Sequence, residues 1–243
     1  MVFNVDKCKV MHLGKENPRF EYEMTDKDGN VKVIQTVNSE KDLGVHVQDN
    51  LKFDKHISVT VNRANRLVGL IKRSFSFLDE ETLLILYKTL VRPILDYGNT
   101  IWFPTLMKDI RALENVQRRL TKILPELSQL SYTDRLKKLH LTTLHYRRYR
   151  MDMIQVFKIV NKIDDVSFDE FFTYSDLQTR GHDKKLNKPR ALKNFRLNSF
   201  CIRSINKWNE LPSEIVNATS VLSFKTLYDR YMADSKFDTD DIY

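Results

Sequence analysis

At Asp54 the hydrophobic period of this 243-residue chain changes from two to between three and four. That change limits the fold to a small β segment followed by helices. Upstream, Phe20, Tyr22 and Met24 alternate with polar neighbours, and Val31 and Val33 follow an Asp28-Gly29-Asn30 turn signal. The pattern predicts a hairpin. Lys7 to Leu13 and Asp42 to Val47 read as further strands. So few strands cannot close a core alone and must pack on something else. Downstream, Ile57, Val61, Ala64, Val68, Ile71 and Phe75 lie on one helix face. The expected class is therefore α+β, mainly α, with a small N-terminal antiparallel β-meander.

More helices follow. Asp79-Glu80-Glu81 places negative charge at a helix N-terminus, and Leu83, Leu86, Tyr87, Leu90 and Ile94 continue that helix. Pro93 should kink or end it. A third helix runs over 108–124 and stops before Pro125, and Ser131-Tyr-Thr-Asp134 looks like a capping box for a fourth. Residues 143–162 are apolar nearly all round, the signature of a buried central helix. Residues 176–197 lack periodicity, helices are expected around Ser199–Leu211 and Ser220–Ala233, and an acidic tail ends the chain.

Forty Lys and Arg against thirty-two Asp and Glu give a net charge of +8. The balance favours polyanionic partners, nucleic acid before acidic membrane surfaces. Two distant cysteines, Cys8 and Cys201, make neither a disulfide framework nor a zinc site by themselves. No apolar run approaches the ~18 residues of a membrane span, and Asp6, Lys7 and Lys9 interrupt any signal-peptide core. These features lead to the expectation of an intracellular chain, nuclear or cytoplasmic, not secreted and without a membrane partner.

The cations are patterned. On the first helix Lys55, Asn62, Arg66, Gly69 and Arg73 fall within about 60° of one another, opposite the apolar face. A glycine inside a basic stripe suits close approach of a phosphate backbone; the other reading is a solvated face whose glycine admits a neighbouring helix. On the third helix Arg111, Arg118, Arg119 and Lys122 lie opposite Ile110, Leu113, Leu120 and Ile123. Arg147, Arg148 and Arg150 sit on the apolar helix, where snorkelling or pairing with acids such as Asp152 is the expectation. The segment Arg180–Arg196 carries seven cations, including Lys184, Lys185, Lys188 and Arg190, against one acid. It reads either as a track for a polyanion or as a loop.

No active site emerges. Two-metal chemistry needs carboxylates that converge on divalent cations about 4 Å apart. Asp164-Asp165 falls between helices, and Asp240-Asp241 lies too near the terminus for a supporting strand. No zinc spacing, phosphate-cradling Gly-rich loop or nucleophile elbow occurs. Trp208 with Leu211-Pro212 reads as core and helix termination.

Several collinear segments nonetheless resemble the C-terminal part of a non-LTR, LINE-type reverse transcriptase of the jockey-like kind. They are Phe3-Asn4-Val5-Asp6-Lys7-Cys8 through Gly14, Lys41-Asp42-Leu43-Gly44-Val45, Leu86-Tyr87-Lys88 with Leu90-Val91-Arg92-Pro93, and Leu113-Glu114-Asn115-Val116-Gln117-Arg118-Arg119. Tyr146-Arg147-Arg148, Thr179-Arg180-Gly181-His182 and Trp208-Asn209-Glu210-Leu211-Pro212 complete the series, which spans nearly the whole chain. Met151 stands where such proteins usually carry glycine, and Leu120 where they carry alanine.

The resemblance implies palm-remnant strands over 1–53, with Leu43, Gly44 and Val45 in a primer-grip-like strand. It implies thumb-like helices over 54–127, post-thumb helices over 128–175, a basic loop over 176–197, C-terminal helices over 198–233 and a tail over 234–243. On that mapping Met1 is internal to a longer reading frame and the palm aspartates lie upstream. The chain would then grip template–primer RNA, DNA or RNA–DNA hybrid without catalysis of its own, alongside the fingers and palm. No cofactor is expected here, magnesium belonging to the full-length parent. The alternative is a helical protein-interaction domain, or an inactive product of a decayed element.

Overall fold

A computed structural model describes residues 3–14, 16–176 and 181–239. Thr179, Arg180 and the Asp240-Asp241 pair lie outside the described residues. The chain is α+β and mainly α. It divides into two compact units, Met1–Ser58 and Val59–Tyr243.

In the first unit, a 3-10 turn at Val5–Lys7 is capped by the Asn4 side chain, which accepts from the Asp6 amide. Six short strands follow: β1 (Lys9–Val10), β2 (Glu23–Thr25), β3 (Val31–Val33), β4 (Gln35–Thr36), β5 (Ser39–Asp42) and β6 (Val45–Gln48). They form three separate two-stranded ladders in place of one meander: β2–β3 and β5–β6 antiparallel, β1–β4 parallel. At the β2–β3 turn, the Asp26 carboxylate accepts from the Asp28 and Asn30 amides at 2.9 Å each. These bonds hold the turn locally and leave β3 exposed along its whole length. The aromatic alternation upstream of it makes no buried face, for Phe20 and Tyr22 are exposed and lie outside β2.

The expected strand through Leu43, Gly44 and Val45 is corrected by the structure. Asp42 pairs directly with Val45, so Leu43 and Gly44 are the two-residue turn of a hairpin. Both have positive φ, 42° and 88°. That is the mirror-image turn whose twist suits a hairpin, and its first position favours Asn or Asp over Leu. Val45 is buried while Leu43 is 83% exposed. Replacing Leu43 with Asn should therefore stabilise the hairpin by about 1 kcal/mol, seen as a higher denaturant midpoint. A lower midpoint would contradict this reading of the turn.

Helix α1 (Asp54–Ser74) begins in the first unit, and Ile57, Ala64, Val68 and Ile71 bury the expected face. Phe75 falls beyond its end and is exposed. In the second unit, Asp79 caps α2 (Glu80–Leu86) by accepting from the Thr82 amide at 2.7 Å. The chain does not stop at Pro93. It widens into a π turn, Tyr87–Val91, and continues as α3 (Arg92–Asp96) with the proline in its first turn, where a missing N–H costs nothing. Next come α4 (Met107–Thr121), α5 (Pro125–Ser128) and α6 (Tyr132–Lys138); Ser131 caps α6 by accepting from the Asp134 amide.

Helix α7 (Leu144–Val160) is the centre of the second unit, packed against α4, α9 (Phe200–Asn209) and α11 (Val221–Tyr231). Phe157 stacks on Phe224 with ring centres 4.4 Å apart, and both belong to a core with Met153, Val156, Ile205 and Trp208. Two short helices, α8 (Asn194–Leu197) and α10 (Ser213–Val216), complete the segment.

The N-terminus of α7 is held from another helix. Glu114 of α4 is fully buried, and its carboxylate accepts from the Leu144 amide at 2.9 Å and from the Tyr132 hydroxyl. Gln117, one turn on, donates to the Thr142 carbonyl at 2.9 Å and accepts from the Tyr87 hydroxyl. Burial raises the Glu114 pKa against the pull of these hydrogen bonds. A carboxyl whose folded pKa is raised favours folding most at low pH, and that contribution is lost as pH climbs through the folded value. Glu114→Gln should thus gain stability relative to the parent as pH rises above 4.5, the ordinary glutamate value. Glu114→Ala, which strands two buried donors, should cost about 3 kcal/mol. Chemical denaturation of the three proteins across that pH range checks both signs.

Candidate nucleic-acid interface

Helix α1 carries its cations outward because its apolar row is committed to the core. Asn62, Arg66 and Arg73 are exposed and Gly69 is partly so. Lys55 is exposed too, but belongs to the first unit, where its amide donates to the Gln48 side chain. On α4, Arg111 and Arg119 are exposed, as is Lys122 just past its end. Arg118 departs from expectation: it is half-buried, with its guanidinium 5.2 Å from the centre of the Tyr132 ring. Its planar cation is engaged in packing, so it is removed from the candidate surface.

The two helices meet along a groove of about 380 Å³ lined by Asn65, Val68, Gly69, Lys72, Arg119, Lys122 and Ile123. Three cations and no acid line it. Arg119 donates to the Asn65 side-chain oxygen at 3.3 Å, tying the walls together. Sequence periodicity identified Gly69, Arg119 and Lys122 but missed Asn65 and Lys72. Those two stand four before and three after Gly69, on the neighbouring helical row, and the signal that would have found them is this spacing.

Gly69 has helical backbone, and a Cβ there would meet only the Arg73 guanidinium, at 3.5 Å. Among the described residues no neighbouring helix approaches it within that contact range, so the helix-packing explanation for the glycine is not supported. Gly69→Ala should accordingly stabilise the fold by about 0.5–1 kcal/mol, the ordinary gain for this change inside a helix. Destabilisation in urea would show that the position is needed for packing.

The other basic segments divide between structure and surface. Arg147 pairs with Asp96 at 2.6 Å, Arg150 grips Asp229, and buried Arg148 donates to the Leu95 and Leu144 carbonyls. Asp152 is held instead by Arg203, at 2.8 Å. The expected basic loop is anchored: Leu186 is buried, its amide and carbonyl bond the Asn209 side chain, and Trp208 donates to the Lys184 carbonyl at 2.9 Å. The Lys184 ammonium donates to Asn161, and Lys185 is half-buried. Lys188 and Arg190 are exposed, with no described contact joining them to the α1–α4 groove.

Among the described residues no three His, Cys, Asp or Glu side chains gather as metal ligands. Asp164 of the internal Asp pair is bound by Lys158 and Gln155, which lower its pKa. Among the same residues no helix is long and apolar enough to cross a membrane.

No protein-family model matches the chain. An uncharacterized protein of Caenorhabditis elegans is 28% identical over 114 residues, covering 46% of this chain and 58% of that relative. The chain thus spans less than two thirds of the length of the relative. No solved structure matches significantly.

Proposed function

We propose that the α1–α4 groove grips the sugar-phosphate backbone of a nucleic acid, and that the chain is a template–primer-binding part of a reverse transcriptase of the non-LTR type. The observation that carries the binding reading is the meeting of two basic helix faces, some fifty residues apart in sequence, at an acid-free groove. Lys72, Arg119 and Lys122 supply charge, and Gly69 lets a backbone approach closely. Contacts of this kind position a duplex without reading its sequence, so binding is sequence-tolerant. The polymerase assignment rests on the collinear segments quoted above, and no chemical step is assigned to residues of this chain.

Neutralising about five phosphates with these three cations plus Arg66 and Arg73 gives a log–log salt slope near −4.5. Anisotropy titrations with an RNA–DNA hybrid should show that slope. Arg66→Ala with Arg73→Ala should lower affinity and flatten the slope by about two. Gly69→Ala should weaken binding while the fold gains stability. If the slope is near zero and the double change is silent, the helical protein-interaction reading takes over. The exposed Leu70, Phe77, Ile85 and Leu90 side chains favour that second reading.

A further inference from the structure

The second unit contains another cation-rich cleft, of about 250 Å³, that shares no lining residue with the α1–α4 groove. Its walls include Arg92 at the start of α3, Tyr146, Arg147 and Arg150 on α7, Asp229 of α11, and Lys236 in the 3-10 turn Ser235–Phe237. The turn is fixed there, because the Lys236 carbonyl accepts from the amide of Thr143, the α7 cap, at 3.1 Å. Arg92 is fixed by the π turn directly before it, a helix defect frequent at functional sites.

The cations exceed their partners. Asp229 is consumed by Arg150, through two hydrogen bonds, and by the Tyr146 hydroxyl at 2.8 Å. Asp96 accepts from Arg147 through Oδ2 at 2.6 Å, and Arg92 lies at 4.0 Å from the same oxygen, at the outer limit of an ion pair. The Arg92 guanidinium and the Lys236 ammonium make no hydrogen bond among the described residues, yet Arg92 is only about a quarter exposed. Partial burial, then repulsion from Arg147, lowers the Arg92 pKa. Four cations facing two carboxylates leave two positive charges unmatched, and the volume is several times the share of one water, about 30 Å³.

We propose that this cleft binds a phosphoryl group, free or terminal on a larger molecule, with Arg92 and Lys236 as its principal ligands. A dianion restores the charge balance, and an arginine fork matches tetrahedral oxyanions through paired N–H donors. Arg147 and Arg150 stay on their carboxylates and supply field. The site is independent of the nucleic-acid groove and stands whether or not that reading holds.

The full chain is titrated with inorganic pyrophosphate by calorimetry and thermal melting, at an ionic strength held constant with sodium chloride. The expected result is saturable binding with a raised melting midpoint. Arg92→Gln and Lys236→Gln should each weaken it by about tenfold. Without ligand, Arg92→Gln should melt close to the parent, since loss of the 4.0 Å ion pair with Asp96 is offset by relief of the repulsion from Arg147 and no hydrogen bond is lost; this separates loss of binding from loss of fold. Lys122→Gln, in the other groove, should bind pyrophosphate normally. Absence of saturable binding, or equal binding by the parent and both cleft variants, overturns the proposal, as does loss of binding in Lys122→Gln. Competition by 5′-phosphorylated and 5′-hydroxyl oligonucleotides identifies the source. Preference for the phosphorylated end marks a terminal phosphate, and competition by neither oligonucleotide marks a free phosphoryl ligand; equal competition by both marks binding of backbone phosphodiesters and overturns the proposal.

Discussion

The second unit depends on one carboxylate. Glu114 leaves α4, enters the space beneath α7 and accepts from the amide that opens that helix. A helix N-terminus buried without an acceptor would leave unpaired donors and an uncompensated positive end. Here α7 carries no acid in its own first turn, so the charge comes from a different helix. The Thr143 cap satisfies the Tyr146 amide, Gln117 holds the Thr142 carbonyl, and Tyr132 bonds both Glu114 and Gln117. The angle and height of α4 against α7 are thereby set by directional bonds, with apolar packing filling in around them. The free energy of desolvating Glu114 is the cost of that registry.

Everything on α4 inherits its position. With the Glu114 face turned inward, Arg119, and Lys122 just past the helix end, emerge where α1 presents Asn65, Gly69 and Lys72. Cations elsewhere are sorted by whether an acid or a carbonyl waits for them. Arg147, Arg148, Arg150 and Arg203 are consumed by Asp96, backbone carbonyls, Asp229 and Asp152, and serve cohesion. Lys72 and Lys122 have no such acid beside them in the groove. The division follows from local pairing, which a count of charge along the sequence does not contain.

Helices and their starts were legible because their signals are local. The core row of α1, the Asp79 and Ser131 caps and the stop before Pro125 each involve residues within a turn or two. The apolar girth of residues 143–162 likewise announced a central helix. The strands were harder. Leu43-Gly44 looked like strand interior because leucine is a poor turn residue, and only pairing of Asp42 with Val45 fixes the turn. The parallel β1–β4 ladder joins residues about twenty-six apart, a register that alternation does not encode. For the groove, helical periodicity found the basic faces and the glycine. It missed Asn65 and Lys72 because which row of α1 faces α4 is decided by tertiary packing. The contact of Arg118 with Tyr132 was hidden for the same reason, since the tyrosine comes from another helix.

The account turns on α1 and α4 acting as one surface. Arginine side-chain NMR during titration with RNA–DNA hybrid tests this directly, since each Nε–H reports its own environment. The account predicts that Arg66, Arg73 and Arg119 resonances shift together along one binding curve, while Arg148 and Arg203 hold still in their internal bonds. Shifts confined to one helix, or largest at the internally bonded arginines, would contradict it.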